Sequence, residues 1–347
     1  MDYLSEKAKA LTPYVAGLQP QDTGWIKLNT NENPYPPSPK VLEAIHAADI
    51  SRLRLYPDGD STALCKAIAE QLNVSPENIF PGNGSDEVLA LAFGAFFRGK
   101  PSVLMPDISY GFYPVWSELF DVGAKRLPLR EDFTIDHAAY RGAMGVVLAN
   151  PNAPTSLALS LPEIEEIVRE NPNGVVLVDE AYIDFAKAES AVSLIRKYEN
   201  LLVVRTFSKS HALAGLRVGY AVGQASLIEG LQRMKNAFNS YPLDMLAQIG
   251  AAASIRDTAY WDETRRRIMR TRDRVANELC KLNFPVLDSQ ASFLFFQANR
   301  AKDLYEHLLA QKILVRYWNT PRLSDYIRVS IGRDEEMEAF VTCVKQF

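Results

Sequence analysis

The stretch LLVVRTFSKSHALAGLRVGYAV at 201–222 decides how this chain is organised. It opens on LLVVR, a short β-branched run without polar alternation, and closes on a second such run, RVGYAV. Runs of this kind suit strands covered on both faces of a parallel sheet, because neither face meets water. Working outward, SVLM at 102–105, GVVLA at 145–149 and GVVLV at 174–178 repeat the pattern. Helical patterns lie between them. Ser160 caps a segment with Pro162 and Glu163 in its first turn and Leu161, Ile164, Ile167 and Val168 on one face. Leu64, Ala67, Ile68 and Leu72 form another stripe, introduced by Asp60 and Ser61. The alternation predicts an α/β fold with a mostly parallel sheet flanked by helices.

After about Pro242 the character changes. A long helical region carrying RRRIMRTRDR at 265–274 is followed by FLFF at 293–296, ILVR at 313–316 and YIRVSIG at 326–332, which reads as a smaller α/β domain. Acidic Asp262, Glu263, Asp273 and Glu278 surround the arginines, so a solvated helix face is expected there and not a nucleic-acid surface. LNTNENPYPPSP at 28–39 is too rich in Asn and Pro for a regular element and reads as an ordered arm. The expected division is an N-terminal arm, 1–45, joining the small domain; a large domain, 46–250; and a small C-terminal domain, 251–347.

With 347 residues, 47% of them apolar, the chain can bury a substantial core. Its 42 acidic and 38 basic residues are interspersed, which favours small-molecule chemistry over nucleic acid or an anionic membrane. Cys65, Cys280 and Cys343 at wide spacings, with only four histidines, argue against a disulfide framework or a structural zinc site. The opening MDYLSEKAKALTPY has no apolar h-region and no run of about 18 apolar residues occurs, so a cytoplasmic protein is expected.

Five segments carry polar chemistry. In the opening stretch Lys209 stands among hydroxyls with Arg217 downstream: an amine for a Schiff base with an aldehyde, and Thr206, Ser208 and Arg217 as donors to a phosphate. A lysine flanked by serines is ordinarily a solvated loop residue, so the other segments must decide. GNGSDE at 82–87 precedes the stripe Val88, Leu89, Ala92, Phe93 and Phe96, placing a helix N-terminus at Gly84 and Ser85, where an anion or an ordinary Ser cap would fit. VLVDEAY puts Asp179 at the C-terminal edge of its strand, where open α/β sheets bind ligands and where an ionised carboxylate could hold a protonated pyridine nitrogen; Tyr182 follows three positions on. NPNAPTS at 150–156 and DISYGFYP at 107–114 return loops to the same edge, the second offering Tyr110 as a face for a planar ring.

With these residues assembled, the chain resembles the fold-type I pyridoxal-phosphate-dependent aminotransferases, most closely the histidinol-phosphate aminotransferase family. The resemblance runs through NENP at 31–34, YPDGD at 56–60, GNGSDE, NPNAPT, DEAY, TFSKSHALAGLRVGY, NSYPLD at 239–244 and the C-terminal ILVR and YIRVSIG. It implies pyridoxal 5'-phosphate as cofactor, Lys209 as its Schiff-base lysine and proton shuttle, and Asp179 as partner of the ring nitrogen. Tyr182 would bind the ring oxygen, Tyr110 would stack on the ring, and Ser85, Asp86, Ser208 and Arg217 would surround the phosphate. Tyr56 would reach the phosphate of a neighbouring subunit, which implies a homodimer. The implied reaction is amino transfer between L-histidinol phosphate and 2-oxoglutarate, giving glutamate, in histidine biosynthesis. Arg316, Arg328 and Tyr14 would then hold the substrate's phosphate, and the arginines would hold the carboxylates of glutamate.

The chain departs from the family pattern in places. Where NNPTG is usual it has Ala153 directly before the proline, and Asn152, one place earlier, is expected to take over the bond to the ring oxygen. Ser156 and Ser292 stand where glycine and asparagine are common. The rival readings are an aromatic aminotransferase or a threonine-phosphate decarboxylase of the same fold. A dinucleotide site at GNGSDE is excluded by Glu87, which breaks the GxGxxG spacing.

Overall fold

The computed structural model describes residues 3–15 and 17–347. Among the described residues twelve strands follow in chain order: β1 Ile26–Lys27, β2 Ile79–Asn83, β3 Val103–Pro106, β4 Ala124–Leu127, β5 Gly145–Ala149, β6 Val175–Asp179, β7 Leu201–Thr206, β8 Val218–Gly223, β9 Phe293–Gln297, β10 Ile313–Leu314, β11 Arg316–Tyr317 and β12 Tyr326–Ser330. Seven form one sheet in the order β2-β8-β7-β6-β5-β3-β4. The runs read as doubly covered are buried along nearly their whole length, with Val146, Val176, Leu177, Val203 and Val222 fully enclosed between two apolar layers.

Strand β8 overturns part of the expectation. It runs antiparallel to both β7 and β2, with Val204 opposite Ala221 and Gly82 opposite Gly219. Only residues 207–217 separate β7 from β8, and a parallel return needs a crossover of a dozen or more residues, usually a helix. Strands β2 and β4 do not read as apolar runs, because IFPGN carries Pro and Gly and AKRL is a charged edge strand.

Local signals at the helix starts were mixed. Ser160 caps Leu161–Arg169 in a reciprocal box with Glu163, as the sequence indicates. At Thr62–Leu72 the neighbouring Asp58 takes the cap instead: its carboxylate accepts the Thr62 N–H at 2.8 Å, while Ser61, in the left-handed region, makes no side-chain cap.

A second core gathers around the antiparallel sheet β11-β12-β9 and includes Leu294, Phe296, Ile327, Val329 and Phe340. The run ILVR divides between two sheets. Ile313 and Leu314 pair in parallel with Ile26 and Lys27 of the arm, whereas Arg316 crosses to pair with Arg328. The arginine-rich helix, Thr258–Lys281, is not simply a solvated face. Arg272 is 1% exposed and donates to the carbonyls of Phe185 at 2.9 Å and Ala291 at 3.1 Å. Spacing cannot reveal such a role, because the carbonyls that bury the charge come from distant loops. Among the described residues no helix is long and apolar enough to cross a membrane.

Candidate active site

The ends of β3, β5, β6 and β7, the start of the helix Gly84–Ala92, the arm and the small sheet surround one cavity of about 610 Å³. That volume suits a small organic ligand. Asp179, the last residue of β6, is 5% exposed. Burial pushes its carboxyl up to about 6, against the Tyr113 hydroxyl, which donates at 2.9 Å, and the Ala181 N–H, which donates at 3.2 Å. A carboxylate kept dry and held at two oxygens is a fixed negative pole.

Lys209 lies three residues past β7, in a turn closed by the Ala212 N–H donating to the Lys209 carbonyl. Its Nζ is 3.4 Å from the Thr30 carbonyl and 5.6 Å from the centre of the Tyr182 ring. The arm holds this turn from outside: Asn33 donates to the carbonyls of Lys209 at 2.9 Å and Ser210 at 3.2 Å. Asn31 donates to the Tyr182 hydroxyl at 2.9 Å. Sequence reasoning assigned neither asparagine a role, although NENP was a visible signal.

Ser85, at the helix start, lines the cavity together with Thr206, Ser208 and Arg217. Two glycines permit the approach. A Cβ on Gly84, at φ +79°, would lie 2.5 Å from Arg217 Nη2, and one on Gly219 would lie 2.2 Å from the Ser85 amide nitrogen. Asp86 accepts from Tyr110 at 2.8 Å and from Arg217 at 3.2 Å, so its carboxylate orients those two groups, and only its backbone N–H, in the first turn of the helix, is suited to face an anion. Tyr113, three residues beyond Tyr110, is the missed partner of Asp179.

Asn152 does not follow the expectation. Its amide is consumed within its own loops, accepting from Ser109 at 2.7 Å and donating to the Ile108 carbonyl and the Thr155 hydroxyl at 3.0 Å. Its neighbours Pro151, Ala153 and Pro154 line the cavity, and Asn152 does not. Those three bonds turn Asn152 into the loop, so the one-place substitute does not reach the cavity. Tyr56 is also outside the cavity, 83% exposed and stacked on Tyr241 at 4.7 Å.

At the other end of the cavity Arg316 and Arg328 sit directly opposite one another on β11 and β12. Like charges in that position repel. Among the described residues neither has a carboxylate within ion-pairing distance; Arg328 donates to the Asn29 carbonyl at 2.8 Å and its buried Nε has no partner. Burial and the Arg316 charge together hold Arg328 below the ordinary guanidinium range. Both guanidinium carbons lie 5.3 Å from the Trp318 ring. Tyr14 stacks on Phe112 at 4.2 Å and lines the same end.

A buried carboxylate, a lysine amine, hydroxyls gathered about a helix start and two arginines with no acidic partner among the described residues fit the donor set that pyridoxal phosphate and an anionic substrate require. Fold and site thus define an α/β enzyme organised around a lysine at the carboxyl edge of its sheet. The chain belongs to the aminotransferase class I and II family, whose model matches residues 23–344. It is 50% identical over 347 residues to the histidinol-phosphate aminotransferase of Clostridium botulinum, covering 99% of this chain and 98% of the relative. To the histidinol-phosphate aminotransferase of Brachyspira hyodysenteriae it is 48% identical over 346 residues, again covering 99% and 98%. The crystal structure of histidinol-phosphate aminotransferase from Sinorhizobium meliloti in complex with pyridoxal-5'-phosphate superposes with a TM-score of 0.87 at 22% identity, covering 100% of this chain and 97% of that one. The fold is therefore fold-type I, as the sequence led us to expect.

Proposed function

We propose that this chain is a pyridoxal-phosphate-dependent aminotransferase that moves an amino group between L-histidinol phosphate and 2-oxoglutarate, a step of histidine biosynthesis. The observation that carries the substrate is the cross-strand pair Arg316 and Arg328, two guanidinium groups with no acidic partner among the described residues and a shared aromatic neighbour. Such a pair is stabilised by an anion bridging both forks, and the phosphate of histidinol phosphate or a glutamate carboxylate supplies one.

Bound pyridoxal phosphate supplies an aldehyde that condenses with amines and a cationic ring that withdraws electrons from the reacting carbon. Lys209 would anchor it, Ser85, Thr206, Ser208 and Arg217 would hold its phosphate, Tyr110 would cover its ring face, and Asp179 would keep its ring nitrogen protonated. Lys209 Nζ, the sole lysine amine among the described residues lining the cavity, would move the proton away from the substrate's amine-bearing carbon to the carbon that receives it in amino transfer. Tyr113 and the Ala181 N–H keep Asp179 in place while that charge moves.

The arm, 1–45, acts with the small domain, 251–347, against the large domain, 46–250, and the protein works as a cytoplasmic homodimer. Exposed Leu53, Leu55, Tyr56 and Tyr241 favour that pairing, with Tyr56 reaching the partner's phosphate site. The deciding assay is amino transfer from histidinol phosphate to 2-oxoglutarate with the reconstituted protein. Strong transfer from phenylalanine with none from histidinol phosphate would overturn the substrate assignment.

A further inference from the structure

The arm residue Asn31 joins three separate pieces of the site. Its side chain is 2% exposed and its backbone sits in the left-handed region at φ +56°, which asparagine tolerates better than most residues. Its backbone N–H donates to Ser330 Oγ at 2.8 Å, the Ser330 hydroxyl donates to Asn31 Oδ1 at 2.9 Å, and Asn31 Nδ2 donates to Tyr182 Oη at 2.9 Å.

The direction of these bonds is dictated, not free. A backbone N–H can only donate, so Ser330 Oγ must accept there. Ser330 is 3% exposed, and its hydroxyl proton goes to Asn31 Oδ1. Were the amide reversed, that buried hydroxyl would accept two bonds and donate none, which is costly. Asn31 therefore presents its NH₂ to Tyr182. The phenol, already accepting, keeps its one proton for the cavity it lines. Ala153 packs beside Tyr182 and offers a methyl group where a second donor could have stood.

We infer that Asn31 and Ser330 form a polarity relay that fixes Tyr182 as a hydrogen-bond donor into the cavity, making them positioning residues for the cofactor's ring oxygen. This rests on the cofactor assignment proposed above. A donated bond favours the anionic form of an oxygen acceptor and so the deprotonated form of the cofactor linked to Lys209. Losing the donor raises the pH at which the holoenzyme's visible band changes.

The test is a pH titration of that band. Ser330→Ala is expected to move the transition up by about one pH unit, and Ser330→Thr, which restores a hydroxyl, to bring it back. Asn31→Asp, which can only accept, is expected to move it the same way and provides the measurement if Ser330→Ala does not fold. In a Tyr182→Phe background, itself shifted upward, neither change should add anything, because the relay acts only through the phenol. An unshifted transition in both variants, or a full shift persisting in Tyr182→Phe, would overturn the relay. Failure of the wild-type protein to show any Lys209-dependent visible band would instead sink the cofactor assignment itself.

Discussion

At one end of the cavity Asp179, Lys209 and Arg217 hang from successive strands of a single seven-stranded sheet; at the other, Arg316 and Arg328 face each other across a two-residue strand pair and lean on the arm. The first end is braced by buried apolar layers on both faces of the sheet, with Asp179 fixed by Tyr113 from an adjacent helix. The second is held by a carbonyl of Asn29 and an aromatic ring shared between two cations. The difference teaches how each end is braced: the first hangs from a seven-stranded, doubly covered sheet, whereas the two arginines ride on short strands tied to the arm by hydrogen bonds such as those of Asn31 with Ser330 and of Leu28 with Ser330 and Leu314.

Breaking the sheet end should cost most. Lys209→Ala is expected to abolish the visible band of the bound cofactor and lower turnover by on the order of 10⁴-fold, since both the covalent anchor and the proton carrier go. An unchanged spectrum would refute the assignment. Asp179→Asn leaves the shape and removes the charge, so turnover should fall by about 10³-fold with the band retained. If the loss were only in KM, Asp179 would be a packing group.

At the substrate end, Arg328→Lys keeps a charge but loses the fork, and KM for histidinol phosphate should rise by about 10- to 100-fold with little change in turnover. Equal losses in both parameters would erase the distinction between the two ends.

The smallest effect separates them by pH. Burial raises the Asp179 carboxyl from 3.8 to about 6, so the folded apoprotein retains a proton that the unfolded chain has released. The stability from this group is present below the unfolded value and is lost as pH rises through about 6. Cofactor retention runs the other way, because only the ionised carboxylate pairs with a cationic ring: its Kd should rise by roughly tenfold per unit below pH 6. Asp179→Asn should flatten both slopes, whereas Arg328→Lys should leave both intact. Thermal melts of the apoprotein and reconstitution titrations across pH 4–8 would show it.

The sheet end was largely legible in the sequence. GVVLV and LLVVR are local apolar runs, and polar residues that follow such runs fall at the carboxyl edge whatever the rest of the chain does. The substrate end was visible only as two arginines in a row of short strands. That they oppose each other depends on the register of β11 against β12, to which residues ten and twelve apart in sequence contribute. The choice of Asn152 as a substitute for an absent asparagine failed for a related reason: its amide had three partners on the two loops around it, and no spacing announces them.

Amino-acid order alone determined that this chain makes a doubly covered sheet with a lysine, a carboxylate and a helix start along one edge, because strand and helix periodicities and end residues act over a few positions. Tertiary structure alone decided that β8 turns antiparallel, that Arg272 is buried against distant carbonyls, that Arg316 and Arg328 meet with no acid beside them among the described residues, and that Asn31 faces Tyr182 with its NH₂. Each of those depends on partners brought together from far along the chain, and a hydrogen bond or a repulsion exists only once both groups have arrived.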